Sequence, residues 1–285
     1  MSQIKEILEK TGLDWTVRSE MLQTTSGILL PNKIAVIRED TGVPLGDHKK
    51  GYTTYQNEEF LELLFQISRQ TGLALHSGGL FGQGEKVWFQ LKSDDLKING
   101  DRVEGFISGI NSFDGSTSLS FGNANKTISC MNTFWFVYKN LQTKIKHSVS
   151  LTRKIDEILM NIDKLVDEEK NIFRKIEILA DFKVSEEVKT KVLQRMFDIS
   201  HEDALDPMSS EELSTYKKNR IEQFYIDLNG ELQSKDSTIW GLFSGVTKYT
   251  THSMKKGDNS VNKIFGRVGE KERMIFNELY EYTQA

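Results

Sequence analysis

Cysteine is nearly absent: the 285 residues contain one, Cys130. A lone thiol excludes an intramolecular disulfide and suggests a reducing compartment. Proline is equally scarce, with Pro31, Pro44 and Pro207 only, so no proline interrupts a helix after position 207. No run reaches the roughly 20 consecutive apolar residues of a membrane-spanning helix. The opening "MSQIKEILEKTG" has no apolar centre of signal-peptide type. These absences lead us to expect a cytoplasmic protein with no membrane partner. The five histidines (His48, His76, His147, His201, His252) are scattered, and with Cys130 they form no CxxC or HxxxH pair. No metal and no cofactor is therefore expected.

What the chain does contain is ordinary in bulk and uneven in detail. Hydrophobic content of 38% with 10% aromatics suits a globular protein. The net charge of −4 excludes a uniformly basic coat but not a local basic face. Two segments are such candidates. Residues 139–154 carry Lys139, Lys144, Lys146, His147, Arg153 and Lys154 with no acid, and residues 248–273 carry seven bases against Asp258, Glu270 and Glu272. From the second segment Lys248, His252, Lys255 and Lys256 join the first six as candidate nucleic-acid-binding residues. The alternative is that both segments are merely solvated faces. Acid is concentrated elsewhere, in "DEE" at 167–169 and "SSEEL" at 209–213.

The first half reads as mixed α and β. Ser2 can cap a helix that stops at Gly12, "KIAVIRED" (33–40) has strand propensity, and Asn57 is placed to cap "EEFLELLFQISRQTG". Then "LALHS", "KVWFQLK", "VEGFISGINS", "STSLSF" and "KTISC" follow, divided by turn signals rich in Gly, Asn and Asp, which predicts an antiparallel meander. "CMNTFWFVYKNL" reads as the start of a helix packed on that sheet. From about residue 150 apolar positions recur as a heptad seam: Leu151, Ile155, Ile158, Ile162, Leu165, Ile172, Ile176 and Leu179, with Glu169 in one apolar slot. This predicts one long helix that docks either on the other C-terminal helices or on another subunit. Further helices are expected at about 185–199, 209–230, 237–253 and 270–283. The expected class is α+β: an antiparallel β-meander packed with helices in the N-terminal half, then a helical C-terminal half with one long helix. The expected domains are 1–148 and 149–285, the second packing on the first or on another subunit.

Chemical motifs are weak. "GGLFGQGEK" (78–86) imitates a phosphate loop, but Glu85 stands where a P-loop lysine belongs and Val87 where a third dinucleotide-fold glycine belongs, so a hairpin turn is expected. Cys130 would need a base. His147 is separated from it by an apparent helix whose ends lie about 20 Å apart, so the thiol reads as a packing group. Asp114 in "SFDGS" fits turn chemistry; a magnesium site joined by Asp94 and Asp95, or separately by Asp114, with acids elsewhere in the chain, or a metal-dependent hydrolase using Asp114, His147 and His252, is the weaker reading. No catalytic residue is assigned.

The ordered set "GYTTYQNEEF", "HSGGLFGQGEKVWFQL", "NSFDGSTS", "ISCMNTFWF", "IKHSVS" and "TIWGLFSGVTKYTTH" resembles the phage/plasmid-like protein family that carries domain of unknown function 932. Matching positions are Tyr52, Gln56, Asn57, Phe60, Gly79, Trp88, Asp114, Gly115, Cys130, Asn132, Thr133, His147, Trp240, Tyr249 and His252. One departure is "NKTIS", where the family commonly has an arginine; Lys126 keeps the charge but not the bidentate geometry. The resemblance implies a mobile-element origin in a bacterial host cell and supplies no catalytic residues. A looser likeness of architecture, to phage single-strand annealing proteins, leads to the expected function: a homo-oligomeric, non-catalytic protein of phage DNA metabolism that binds single-stranded DNA. Lysines would track the phosphates, with Phe134, Trp135, Phe136, Tyr138 and Trp240 as candidate stacking groups, several of which must be core. The alternative is a phage protein that binds and modulates a host protein, including a defence component.

Overall fold

The computed structural model describes residues 3–98, 101–127, 132–136, 144–145, 151–254 and 260–284. The chain divides into two compact units. One comprises Met1–Asp94, Phe106–Asn123 and Val137–Asp167; the other comprises Asp95–Gly105, Ala124–Phe136 and Glu168–Ala285.

The first unit begins with helix α1 (Gln3–Thr11), which ends at Gly12 in the left-handed region, φ 69°. Strands β1 (Val17–Gln23), β2 (Leu29–Arg38) and β3 (Pro44–Lys49) form an antiparallel sheet in that order. Helix α2 (Asn57–Thr71) follows and closes on Gly72, φ 74°. Its N-cap is Gln56, one residue before the Asn57 expected from the sequence. The Gln56 amide donates to the Glu59 carboxylate at 2.7 Å, and the Asn57 side chain instead donates to the carbonyls of Leu13 and Trp15. A buried amide side chain with two backbone acceptors in reach bonds them rather than its own helix.

The meander is formed as expected. Strands β4 (Ala74–Phe81), β5 (Lys86–Ile98), β6 (Asp101–Ser112), β7 (Leu119–Thr127) and β8 (Asn132–Phe136) are neighbours in chain order, and β9 (Lys144–Ile145) pairs antiparallel with β7. "GGLFGQGEK" is the β4–β5 hairpin, with Phe81 opposite Lys86 and Gly82 and Gly84 at positive φ. The structure corrects the helix expected from "CMNTFWFVYKNL": Asn132–Phe136 is a strand. Thr133, Phe134, Trp135 and Phe136 are β-branched or aromatic, types that lose rotamer freedom in a helix and fit a pleated surface.

The second unit is largely helical: α3 (Leu151–Asp181, beginning in the first unit), α4 (Glu186–Phe197), α5 (His201–Leu205), α6 (Thr215–Ser234), α7 (Ile239–Lys248), α8 (Ser260–Phe265) and α9 (Arg267–Tyr282). Ser185, Ser200, Ser214 and Thr238 cap their helices by accepting a first-turn amide. The Ser214 cap explains why α6 starts at 215 and not near 209. Helix α7 runs into a π-helical turn, Tyr249–Ser253, marked by the Met254 amide donating to the Tyr249 carbonyl.

Each unit has its own core. Leu13, Phe60, Leu64, Phe89 and Phe121 anchor the first, and Phe224, Trp240, Phe243 and Phe276 the second. The α3 seam serves both: Ile158, Ile162 and Leu165 lie in the first core, and Ile172, Ile176 and Leu179 in the second. Each such side chain contributes about 1.5–3 kcal/mol by leaving water. Among the described residues no helix is long and apolar enough to cross a membrane.

Candidate nucleic-acid interface

In the first unit, the residues singled out by the family pattern hold loops in place. The His48 ring stacks on Tyr52 at 3.7 Å, and its Nε2 lies 2.7 Å from the Phe113 carbonyl oxygen. The Tyr52 hydroxyl donates to the Ser112 carbonyl at 2.7 Å. Asp114 accepts from Lys86 Nζ at 2.6 Å and from the amide and hydroxyl of Ser116. Gln56 brackets Val17, donating to its carbonyl and accepting from its amide. Phe60 packs on Phe89 and Phe121. These contacts make the cluster a lock on the β3 and β6–β7 loops. Among the described residues no group of three His, Cys, Asp or Glu is placed to hold a metal ion.

The second unit contains a different arrangement. A cavity of about 490 Å³ is lined by the end of α4 (Met196, Phe197, Asp198), the start of α6 (Ser214, Tyr216, Lys217, Arg220) and the π turn (Thr250, Met254). Asn262 of α8 and Arg267, Val268 and Lys271 at the start of α9 complete the wall. Lys217 and Arg220 are three residues apart and Arg267 and Lys271 four apart, so each pair shares one helix face. Asp198 is the carboxylate in this lining, and Lys271 Nζ lies 2.5 Å from its Oδ2. Among the described residues Lys217, Arg220 and Arg267 make no ion pair.

Part of this charge is offset by Asp198, which pairs with Lys271, and by Asp203, whose carboxyl is lowered by the Ser210 and Ser200 hydroxyls and, in smaller part, by Lys217; the dipole at the start of α6 is not. Helix α6 has no acid in its first turn and carries Lys217 there, where the helix dipole is already positive. Cations at such ends oppose the dipole by about 0.3–1 kcal/mol each. Helix α9 starts behind Gly266, which offers no side-chain cap, and Arg267 follows at once. The first turn of α9 also carries Glu270, so it is the start of α6 that an anion in the cavity would relieve.

The walls are also preorganised. Arg220 Nε donates to the Tyr249 hydroxyl at 2.9 Å, and its guanidinium carbon lies 5.7 to 5.9 Å from the ring centroids of Tyr216, Phe197 and Tyr249. Burial pushes the Tyr249 phenol up, against the opposing pull of Arg220. Behind Thr250, the buried Lys263 Nζ lies 2.7 Å from Glu272 and donates to the hydroxyls of Thr250 and Thr251; Thr250 donates in turn to Glu272. Burial lowers the Lys263 ammonium, opposed by the Glu272 charge. Tyr249 and Thr250 are adjacent on the π turn, the first bonded to Arg220 and the second in the cavity wall.

Of the residues expected from the sequence, Lys139, Lys146, His147, Lys255 and Lys256 lie outside the described residues, as do Cys130 and Tyr138. Lys144 is on β9, opposite Ser120, and Arg153 and Lys154 are in the first turn of α3. Lys248 pairs with the buried carboxylate of Glu231 at 3.2 Å. His252 is exposed on the π turn. Among the expected stacking groups, Trp240 is corrected: at 1% exposure it is a core residue and cannot reach a base. Sequence reasoning missed Tyr216, Lys217 and Arg220. The signal was "TYKKNR" (215–220), an aromatic before three bases, concealed by the acidic "SSEEL" just upstream.

The chain belongs to the family defined by a domain of unknown function, DUF932, whose profile matches residues 44–272 and so takes in every residue of the cavity wall. No curated protein and no solved structure matches the chain.

Proposed function

We propose that the protein binds single-stranded DNA without breaking or forming bonds, as an annealing- or recombination-type factor of a phage or other mobile element. The observation that carries this reading is the cavity of the second unit, where Lys217, Arg220 and Arg267, with Lys271 paired to Asp198, stand beside the exposed ring of Tyr216. Cations to hold phosphates beside rings to hold bases are the recurring means of gripping a single strand. The carboxylate in the wall is tied to Lys271, which leaves it a poor general base. Lys144, Arg153 and Lys154 extend positive charge along a second stretch of chain, and self-association would multiply a modest patch despite the acidic total.

The test is fluorescence anisotropy of the full chain with a labelled single-stranded oligonucleotide over a salt series. Log affinity should fall linearly with log salt. Lys217→Glu and Arg267→Glu should each weaken binding about tenfold and flatten the slope by about 0.7 for every phosphate no longer neutralised. Undetectable binding at low salt overturns the proposal.

A second reading, binding of a host protein, has one observation in its favour. Met21, Ile28, Leu29 and Leu30, on or beside the β1–β2 turn, are 50%, 64%, 56% and 38% exposed. Exposed apolar groups clustered at a hairpin end suit a contact with another protein. An Ile28→Asp/Leu29→Asp variant that loses a stoichiometric protein partner but keeps DNA binding would favour it.

A further inference from the structure

We infer that the cavity admits a single nucleotide drawn out of the strand, its base against Tyr216 and its phosphate on Arg220 and Lys217, and that this insertion separates single strands from duplex. The inference rests on the single-strand reading and deepens it. Three observations lead to it.

The first is size. A volume of about 490 Å³ falls within the roughly 300–1,000 Å³ of clefts and cavities that take one small ligand. The second is Tyr216. It belongs to the cavity wall yet is 71% exposed, so a large ring face at the mouth is left for a base to cover. The third is Arg220. Tyr249 occupies its Nε and fixes the plane of the guanidinium, which leaves the two terminal nitrogens for the paired hydrogen bonds that a phosphate accepts. Lys217, one turn earlier on α6, adds a second charge to the same anion. Arg267 then stands for the neighbouring phosphate, and Ser214 and Asn262 supply polar groups for a base edge. A paired base can enter only by leaving its stack, at a cost of about a few kcal/mol.

The experiment compares four probes on the full chain: a thymidine 20-mer, a 20-mer of abasic spacers, a duplex containing the thymidine strand, and thymidine monophosphate. The thymidine strand should bind at least tenfold tighter than the abasic strand and the duplex. Tyr216→Ala should bring it down to the abasic level while leaving abasic binding unchanged, and Tyr216→Phe should keep most of the preference. Because Tyr216 is exposed, neither substitution should shift the melting temperature. Equal binding of thymidine and abasic strands overturns the insertion but leaves single-strand binding standing. Monophosphate binding as tightly as the strand overturns it in favour of a free-nucleotide site. Failure of all four probes removes the function itself, and the insertion with it.

Discussion

Arg220 and Tyr249 are joined by one hydrogen bond of 2.9 Å from the guanidinium Nε to the phenol oxygen, between a half-buried cation on α6 and a fully buried ring on the π turn. Tyr249→Phe removes the acceptor and keeps the ring. Hydrogen bonds to charged groups contribute about 1.5–3 kcal/mol. The variant should lose stability of that order in urea denaturation and, with Arg220 no longer held in plane, bind single strands several-fold more weakly. Unchanged stability would show the bond to be incidental.

Lys263 and Glu272 form a buried ion pair, each side chain 3% exposed. Lys263→Met leaves a buried carboxylate without its cation and should cost about 3–5 kcal/mol. Replacing both partners, in Lys263→Met/Glu272→Leu, should cost far less, since no charge is then left buried alone. The double-mutant cycle reads this directly; equal losses in the single and double variants would contradict it.

Asp114 gives the first unit an acid-sensitive lock. Burial alone raises its carboxyl; the Lys86 hydrogen bond, those from the Ser116 amide and hydroxyl, and the Lys86 charge outweigh this and leave it below its ordinary value of 3.8. A carboxyl lowered in the folded state stabilises fully above the unfolded value and loses that contribution as pH falls through the folded one. Stability should therefore decline below about pH 3.8, and Asp114→Asn should lose stability at neutral pH while flattening the decline. Acid titration of the urea midpoint for both proteins checks the sign.

Gly115 adopts φ 68°, and a Cβ there would lie 2.8 Å from Cε1 of His48. Gly115→Ala therefore meets backbone strain and a clash together, with an expected cost of about 1–3 kcal/mol. Gly51→Ala, where an added Cβ meets nothing, is the control and should leave the melting temperature unchanged.

Much of the fold was legible because its signals are local. Gly12 and Gly72 end helices, glycines at 82, 84 and 115 make turns, and the long seam of α3 needs only its own spacing to be seen. Asn132–Phe136 misled because a serine-, cysteine- and asparagine-bearing stretch before a hydrophobic run looks like a helix start, while the choice of strand depends on pairing with the sheet. Trp240 misled in the other direction: its residue type suits base stacking, but the packing of α7 removes it from water.

The class of fold, the antiparallel meander, the long helix and the existence of local basic stretches follow from the order of amino acids alone, because turn chemistry and apolar periodicity act over a few residues. Which cations share a cavity is set by packing in three dimensions. Lys217 and Arg220 meet Arg267 and Lys271 across some fifty residues of chain because the apolar faces of α4, α6 and α9 are buried in one core. Burial of those faces is a sum over the whole second unit, and no short window of sequence contains it.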